Sequence, residues 1–328
     1  MPLDWSLKLR QFVDEWKRNP RAERYIGDAP FGNFVLTEQA NSWRDLLAWS
    51  NELRDLCCFR GQREAAWSLL TSLDRAVRRD FLSDSPDGSR VTGYYHLNRE
   101  DEGRRNLVRF REHVDRYTSN APSGDDLGSW FALMQHYGTP TRFLDWSRSP
   151  FVAAYFALEE ELRGERNRSA IWAIDMDWLE RRGRELVPAA ILGSRGDDDV
   201  DRARWENSLL ETCCEPIIVR INPLETNHRM VAQQGILLCK LFHEAFFSQT
   251  LMRMMIHPET IVQPVVRKLE IDTAHRTEFL RNLRAMNIHK ASLFPEFAEH
   301  SREHEAAEDF VTSRGLSHGP KLTARNRR

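Results

Sequence analysis

Three short segments of the sequence contain polar side chains at positions where they could bind a ligand. The first is Phe59-Arg60-Gly61, in which an arginine ends a compact apolar stretch and a glycine follows directly. A guanidinium held at the end of a buried strand can bind two phosphate oxygens at once, and the glycine leaves the neighbouring backbone uncovered. The segment therefore predicts an anion site, with a structural pairing of Arg60 to a carboxylate or loop carbonyl as the alternative.

The second segment, residues 130–156, has a dense group of polar side chains between two apolar runs. The pattern places them in a turn between two helices: His136, Tyr137, Arg142, Asp145, Ser147 and Ser149. Together with the free N–H groups at the start of the second helix, they can form an anion or sugar site. In the structural alternative, Ser149 only caps that helix and His136 only interacts with the dipole of the preceding one. Asp145 would then pair with Arg142.

The third segment is residues 229–235, in which Gln233 and Gln234 precede a glycine and an apolar strand. Amide side chains at the entrance of a strand can hydrogen-bond ribose hydroxyls. They cannot act as a general base and carry no charge to oppose a cation. Taken alone, this segment predicts only a polar turn.

Several other classes of site are disfavoured. The sequence has no glycine-rich phosphate loop of the kinase, P-loop or Rossmann type and no G-x-S-x-G motif. His300 and His304 stand one helical turn apart without a third ligand nearby, so no metal is expected. Five cysteines fit neither a zinc ribbon nor a disulfide framework: Cys57, Cys58, Cys213, Cys214 and Cys239.

Charge and hydropathy restrict the partners. The 328 residues carry 47 Lys and Arg against 49 Asp and Glu, a net charge of -2, which provides no overall field to hold a polyanion. The N-terminus is amphipathic and charged, and no apolar run is long enough to span a bilayer. We therefore expect a cytoplasmic protein with no membrane partner.

The hydrophobic pattern also predicts the elements that position these segments. Helices are expected at the following places: after Ser42, from Leu107 to Tyr117, from about Asp126 to Gly138, from Ser149-Pro150 towards Gly164, from Thr277 to Met286, and from Phe294-Pro295 to about Phe310. Strands are expected at residues 55–60, 170–175, 216–221, 235–241 and 261–266. Pro264 would place the last strand at an edge or a bulge. The prediction is an α+β protein whose helices flank a central mixed or antiparallel sheet.

The chain divides into three parts by composition. Residues 1–33 are expected to form an N-terminal helical extension, and residues 34–311 the main domain. Residues 312–328 are expected to be a disordered basic tail, because residues 314–328 contain arginines, glycines and a proline but no carboxylate.

In order and spacing, several of these motifs resemble the FRG domain family, which is named for the residues that stand here as Phe59-Arg60-Gly61. The matching segments are Phe59–Gln62, Ser72–Arg75, Gln135–Ser147, Ser149–Pro150 and Ala154–Ala157, followed by Arg229–Gly235 and Ala291–Pro295. The likeness spans about residues 34–300. The long middle motif makes it specific.

The family is similar in turn to ADP-ribosyltransferases, so the resemblance implies a fold of that type and ADP-ribosyl transfer from NAD as the substrate. In that superfamily an arginine on the first core strand holds the pyrophosphate, a Ser or Thr on a second strand orients the nicotinamide ribose, and a late Glu bonds the ribose 2'-hydroxyl. Arg60 matches the first role and Ser147 or Ser149 the second. Gln234 or Gln233 stands in the third place.

The third place departs from the superfamily pattern, because an amide cannot stabilise a developing ribosyl cation as a carboxylate does. Asp145 or Glu206 would have to supply the missing charge, and Tyr155 or Phe156 would stack on nicotinamide. The resemblance places further nucleotide contacts on Gly61, His136, Tyr137, Arg142, Asp145 and Tyr155.

Three functions follow from these expectations. The first is an NAD-dependent transferase acting as a toxin or phage-defence effector. The second is a non-catalytic module that senses NAD or a related nucleotide or mediates interactions, which the glutamine favours. The third is a nucleic-acid-acting toxin that uses the arginines of the middle motif and the basic tail. The macromolecular acceptor and any regulatory protein partner are not identified by the sequence.

Overall fold

The structure is a computed structural model. It describes residues 31–53, 57–76, 99–119, 121–122, 126–160, 168–188, 199–212, 215–224, 228–241, 245–256 and 263–295. The basic tail, the pair His300 and His304, the helix expected after Pro295 and most of the N-terminal extension lie outside these residues. The first described element is a 3-10 helix at Phe31–Phe34, and its Phe31 is buried and stacks on Trp172.

A seven-stranded sheet forms the centre of the molecule. Its strands are β1 Leu36–Ala40, β2 Cys57–Gln62, β3 Phe143–Ser147, β4 Arg168–Asp175, β5 Ile218–Ile221, β6 Gly235–Lys240 and β7 Val266–Asp272. Their order across the sheet is β1-β7-β4-β2-β3-β6-β5. The β1–β7 pair is parallel and the other pairs are antiparallel, which confirms the predicted α+β class with a mixed sheet.

Helices cover both faces of the sheet. They are α1 Trp43–Glu52, α2 Arg99–Glu112, α3 Leu127–His136, α4 Pro150–Leu158, α5 Met176–Leu186, α6 Asp199–Thr212, α7 His228–Ala232, α8 Phe247–Met255, α9 Arg276–Ala285 and α10 Lys290–Leu293. Within the described part of the chain, no helix is long and apolar enough to cross a membrane.

Several helices begin at residues whose side chains cap the first turn, and these residues can be recognised in the sequence. Ser42 accepts a hydrogen bond from the backbone N–H of Asp45 and so caps α1, and Asp126 caps α3 through Ser129 N. Ser149 accepts from Val152 N, and Pro150 follows it in the first turn of α4, where its missing N–H is not needed. These three predicted starts are confirmed.

Two apolar clusters lie on opposite faces of the sheet, because successive strand residues point to opposite sides. In β2, Phe59 belongs to the cluster shared with α1, α4 and α9, whereas Cys58 belongs to the cluster shared with α3, α5, α6 and α8. Apolar residues therefore pack on both faces of the sheet.

Two predicted elements are wrong. Residues 136–149 were expected to form a turn between helices, but Phe143–Ser147 form β3, which pairs with β6 along all five residues. That pairing joins residues far apart in sequence, so no local pattern reveals it. The strand expected at 261–266 begins only at Val266, after Pro264, and it lies between β1 and β4 instead of at an edge.

Candidate functional site

The candidate site lies in a seam of the sheet between β2 and β3. β2 pairs with β4 along six residues, but it pairs with β3 only where Phe59 meets Ser147. Beyond that pair the two strands separate, and a cleft of about 1070 Å³ opens between them. The strands β2 and β3, which contain two of the sequence motifs, therefore meet at one end of an open cleft.

Arg60 extends from β2 across the opened seam. Its Nη1 donates a hydrogen bond of 2.5 Å to the backbone carbonyl of Asp145 on β3, which closes the gap that a regular strand pair would fill. Its Nε is buried without a hydrogen-bond partner among the described residues. Burial lowers the pKa of Arg60 to about 10, and the nearby Asp145 opposes that shift. Arg60 is thus a cation at neutral pH that lines the cleft, and not all of its donors have partners within the described residues.

The cleft has a mixed lining with a slight excess of cations. It contains four arginines and three carboxylates: Arg60, Arg63, Arg75, Arg229, Asp145, Glu159 and Glu160. Arg63 forms an ion pair with Glu160 and lies 5.4 Å from the centre of the Trp67 ring. The guanidinium of Arg229 lies 4.5 Å from the centre of the Phe294 ring. An anion with aromatic character suits this lining.

Ser147 lies at the closed end of the seam and lines the cleft. Its hydroxyl donates to the carbonyl of Gln233 at 2.7 Å and accepts from the backbone N–H of Ser149 at 3.0 Å. Ser149 itself is buried as the cap of α4 and is not among the lining residues. Of the two serines, the structure brings Ser147 to the cleft.

The two glutamines separate in the same way. Gln233 lines the cleft, and its Nε2 donates to the carbonyl of Leu293 at 3.0 Å. Gln234 has a positive φ of 49°, and its carbonyl accepts from Arg148 N at 2.9 Å. It is not among the lining residues, so Gln233 occupies the position next to Ser147.

Gly61 is required by packing. A Cβ at this position would lie 2.0 Å from the carbonyl oxygen of Ala153 and 2.6 Å from the backbone N of Ala157. Only glycine lets α4 approach β2 this closely, and that approach brings the end of α4 to the cleft. Phe59, on the same face, packs edge-on against Trp49.

Arg142 is a buried structural residue in this fold. Its Nη2 donates to the carbonyl of Leu210 at 2.5 Å, and its guanidinium lies 5.5 Å from the centre of the Phe131 ring. Asp145 is exposed on β3. The pair that the structural alternative expected between Asp145 and Arg142 is not present among the described contacts.

Three further residues with predicted nucleotide contacts lie outside the lining of the cleft. Tyr137 is exposed, its hydroxyl donates to the carbonyl of Tyr117 at 2.7 Å, and the ring of His136 packs edge-on against it. Tyr155 is buried on α4, and burial raises its pKa to about 12. On this helix it is the neighbouring Phe156 that reaches the cleft.

Glu159 is one of several cleft residues that the sequence did not predict. It follows α4 directly, lines the cleft, and has its pKa raised chiefly by burial. The available signal was its position three residues after Phe156 on a helix whose start was predicted, because residues at that spacing share a helix face. Glu206 is buried against Asn222 and is not among the lining residues.

Comparison with known proteins agrees with the motifs. The model of the FRG domain family matches residues 55–166, a range that contains both strands of the seam and α4. No curated protein and no solved structure matches the chain. The match supports the family resemblance and does not identify an activity.

Proposed function

We propose that the cleft between β2 and β3 binds NAD and that this chain is an ADP-ribosyltransferase-like protein. The observation that carries the proposal is Arg60, a half-buried guanidinium held in an opened strand seam with a donor that has no partner in the described structure. A planar cation with free donors matches the paired oxygens of a pyrophosphate.

The remaining lining is compatible with the other parts of NAD. Arg75 and Arg229 add positive charge around the pyrophosphate position, and Phe156 and Phe294 form an edge-to-face aromatic pair in the cleft wall. A pyridinium ring can pack against such a wall through stacking and cation–π attraction. The ribose would then lie between the aromatic wall and the Ser147 end of the cleft.

The reaction itself breaks the bond between the ribose C1' and the nicotinamide nitrogen. The electron pair of that bond leaves with nicotinamide, which becomes neutral, and positive charge develops on the ribose. An acceptor oxygen or nitrogen then bonds to C1' and releases its proton. The role of the protein is to orient NAD relative to the acceptor and to stabilise the charge that develops on the ribose.

A non-catalytic NAD sensor is the second candidate, and two observations favour it. The Ser147 hydroxyl already has a donor and an acceptor within the protein, and the position beside it is an amide, Gln233. Neither group supplies negative charge. In this reading the cleft binds the nucleotide and the surrounding helices transmit its presence.

Calorimetric titration with NAD tests whether the cleft binds NAD, which both candidate functions require. Arg60→Ala should weaken binding about tenfold to a hundredfold, because a hydrogen bond to a charged group contributes about 1.5–3 kcal/mol. Arg220→Ala is the control, because Arg220 is half-buried on β5 and is not among the residues that line the cleft. Equal affinities of wild type and Arg60→Ala would refute the assignment.

Nicotinamide release from labelled NAD separates the two readings. A transferase should release nicotinamide in the presence of an acceptor, and release should fall with Arg60→Ala. NAD binding by the wild type with no release would replace the transferase by the sensor.

A further inference from the structure

Three carboxylates line the cleft, and they differ in their ion pairing and in their exposure to water. Glu160 forms an ion pair with Arg63, and its side chain is 64% exposed. Asp145 is exposed on β3, where water screens its charge. Glu159 is half-buried and has no ion pair within the described structure. Of the three, Glu159 is therefore the carboxylate whose charge acts most strongly on a ligand.

Glu159 is held in place by the end of α4. Its backbone N–H donates to the carbonyl of Tyr155 at 2.8 Å. Arg276 donates from Nε to the carbonyl of Leu158 at 2.6 Å and from Nη2 to the carbonyl of Glu159 at 2.8 Å. One guanidinium thus satisfies two carbonyls at the C-terminus of the helix, where carbonyls otherwise lack partners. The backbone that carries the carboxylate is fixed before any ligand arrives.

The helix also sets where this carboxylate lies relative to the aromatic wall. Phe156 and Glu159 are three residues apart, so they project from the same face of the helix, and both line the cleft. A nicotinamide ring packed on Phe156 would place its ribose within one helical turn of Glu159. A carboxylate at that distance would lie near the atom on which positive charge develops.

The titratable groups around Glu159 come from three elements. Burial raises the pKa of Glu159, which is hydrogen-bonded to Tyr155 on α4 and adjoins Glu160. The cations Arg229 on α7 and Lys290 on α10 act in the opposite direction, but the effect of burial is larger. Burial of a carboxylate that lacks an ion pair costs stability. Such an arrangement is typical of functional groups.

We propose, on the basis of the NAD site described above, that Glu159 is a catalytic residue whose carboxylate supplies the negative charge that Gln233 lacks. As the C1'–nicotinamide bond breaks, the electron pair leaves with nicotinamide and the Glu159 carboxylate stabilises the ribosyl cation. As the acceptor oxygen or water bonds to C1', its proton passes to this carboxylate and then to solvent. No redox step is involved, and every atom comes from NAD and the acceptor.

The variants Glu159→Gln and Glu159→Asp test the proposal, with Glu206→Gln as the matched control. Glu206 also has a raised pKa because of burial, yet it is not among the residues lining the cleft. Each variant is assayed for NAD affinity, nicotinamide release and thermal unfolding. Thermal unfolding shows whether a lost activity reflects a lost fold.

Glu159→Gln should lose about a hundredfold to a thousandfold in nicotinamide release while its NAD affinity changes by less than about threefold. Its melting temperature should equal or exceed that of the wild type, because a buried charge is removed. Glu159→Asp should retain part of the activity, and Glu206→Gln should retain all of it.

The outcomes separate this proposal from the assignment of the cleft. Full nicotinamide release by Glu159→Gln would overturn the role of Glu159 and leave the NAD site intact. Loss of NAD binding by a folded Glu159→Gln variant would make Glu159 a binding residue and overturn the catalytic role. A wild type that binds no NAD would overturn the proposed function together with this inference. A wild type that binds NAD without release would overturn the catalytic role and the transferase activity and leave only the NAD site.

Discussion

The two edges of β2 differ in how far they are paired with neighbouring strands, and the proposed site lies at the less paired edge. Along one edge, six residues pair with β4, and along the other only Phe59 pairs with β3. The first edge fixes the strand in the sheet. The second leaves the backbone of residues 60–62 facing a cleft, with the Arg60 side chain reaching across to the Asp145 carbonyl. A strand that is fully paired on one side can present a rigid, open edge to a ligand on the other.

The two motif arginines show the same difference. Arg60 at the open edge retains an unpartnered Nε, whereas Arg142 inside the molecule donates to the Leu210 carbonyl and packs beside Phe131. Both belong to the segments that resemble one family. Their surroundings differ accordingly: Arg60 lines the cleft, and Arg142 packs in the core.

The largest effect is expected at Gly61, where α4 meets the closed face of β2. Gly61→Ala should lower the free energy of unfolding by about 3 kcal/mol or more, because the new Cβ would clash with backbone atoms that cannot rotate away. Gly32→Ala is the control, since nothing lies within 4 Å of a Cβ built there. Urea denaturation measures both. Equal stability of the two variants would show that α4 can move away from β2 at little cost.

The next effect distinguishes the two arginines. Arg142→Ala should cost about 2 kcal/mol, because the buried Leu210 carbonyl loses a donor. Arg60→Ala should leave the free energy of unfolding unchanged or raise it, since a partly buried cation without an ion pair is removed. The comparison uses urea denaturation curves of the two variants at one pH. A larger loss for Arg60→Ala than for Arg142→Ala would indicate that Arg60 is structural.

The third effect concerns Glu206, a buried carboxylate outside the cleft. Burial raises the pKa of Glu206 to about 7 from an ordinary value of 4.5, although hydrogen bonds from Asn222 act in the opposite direction. The folded state therefore binds this proton more tightly than the unfolded state, and its stabilising contribution is complete below 4.5 and lost as the pH rises through about 7.

Glu206→Gln should consequently flatten the decline in stability between about pH 5 and about pH 8, by about 2 kcal/mol. Denaturation at the two pH values measures the change. An unaltered pH dependence in this variant would place the titrating group elsewhere, and the cleft carboxylate Glu159 would be the next to replace.

Much of the fold was predictable because its signals are local. Ser42, Asp126 and Ser149-Pro150 are residues that cap helices through their own side chains or fixed backbone angles, so they can be read without tertiary context. β3 was not predictable in the same way. Its five residues are defined by pairing with β6, which lies about ninety residues later in the chain.

The site shows the same limit. Arg60, Asp145 and Ser147 were selected from residue type and spacing, and the structure brings all three to one cleft. Gln233, and not Gln234, lines the cleft together with Arg75, Arg229 and Glu159 because of loops and helices that meet only in three dimensions. Side-chain chemistry identified the candidates, and only the tertiary arrangement could group them.

A crystal structure of the chain soaked with NAD is the most direct test of the central claim. We expect the pyrophosphate in the β2–β3 cleft, within hydrogen-bonding distance of the Arg60 guanidinium, and the nicotinamide ring against Phe156. NAD bound at another surface, or bound in the cleft with its pyrophosphate away from Arg60, would show that Arg60 does not hold the pyrophosphate.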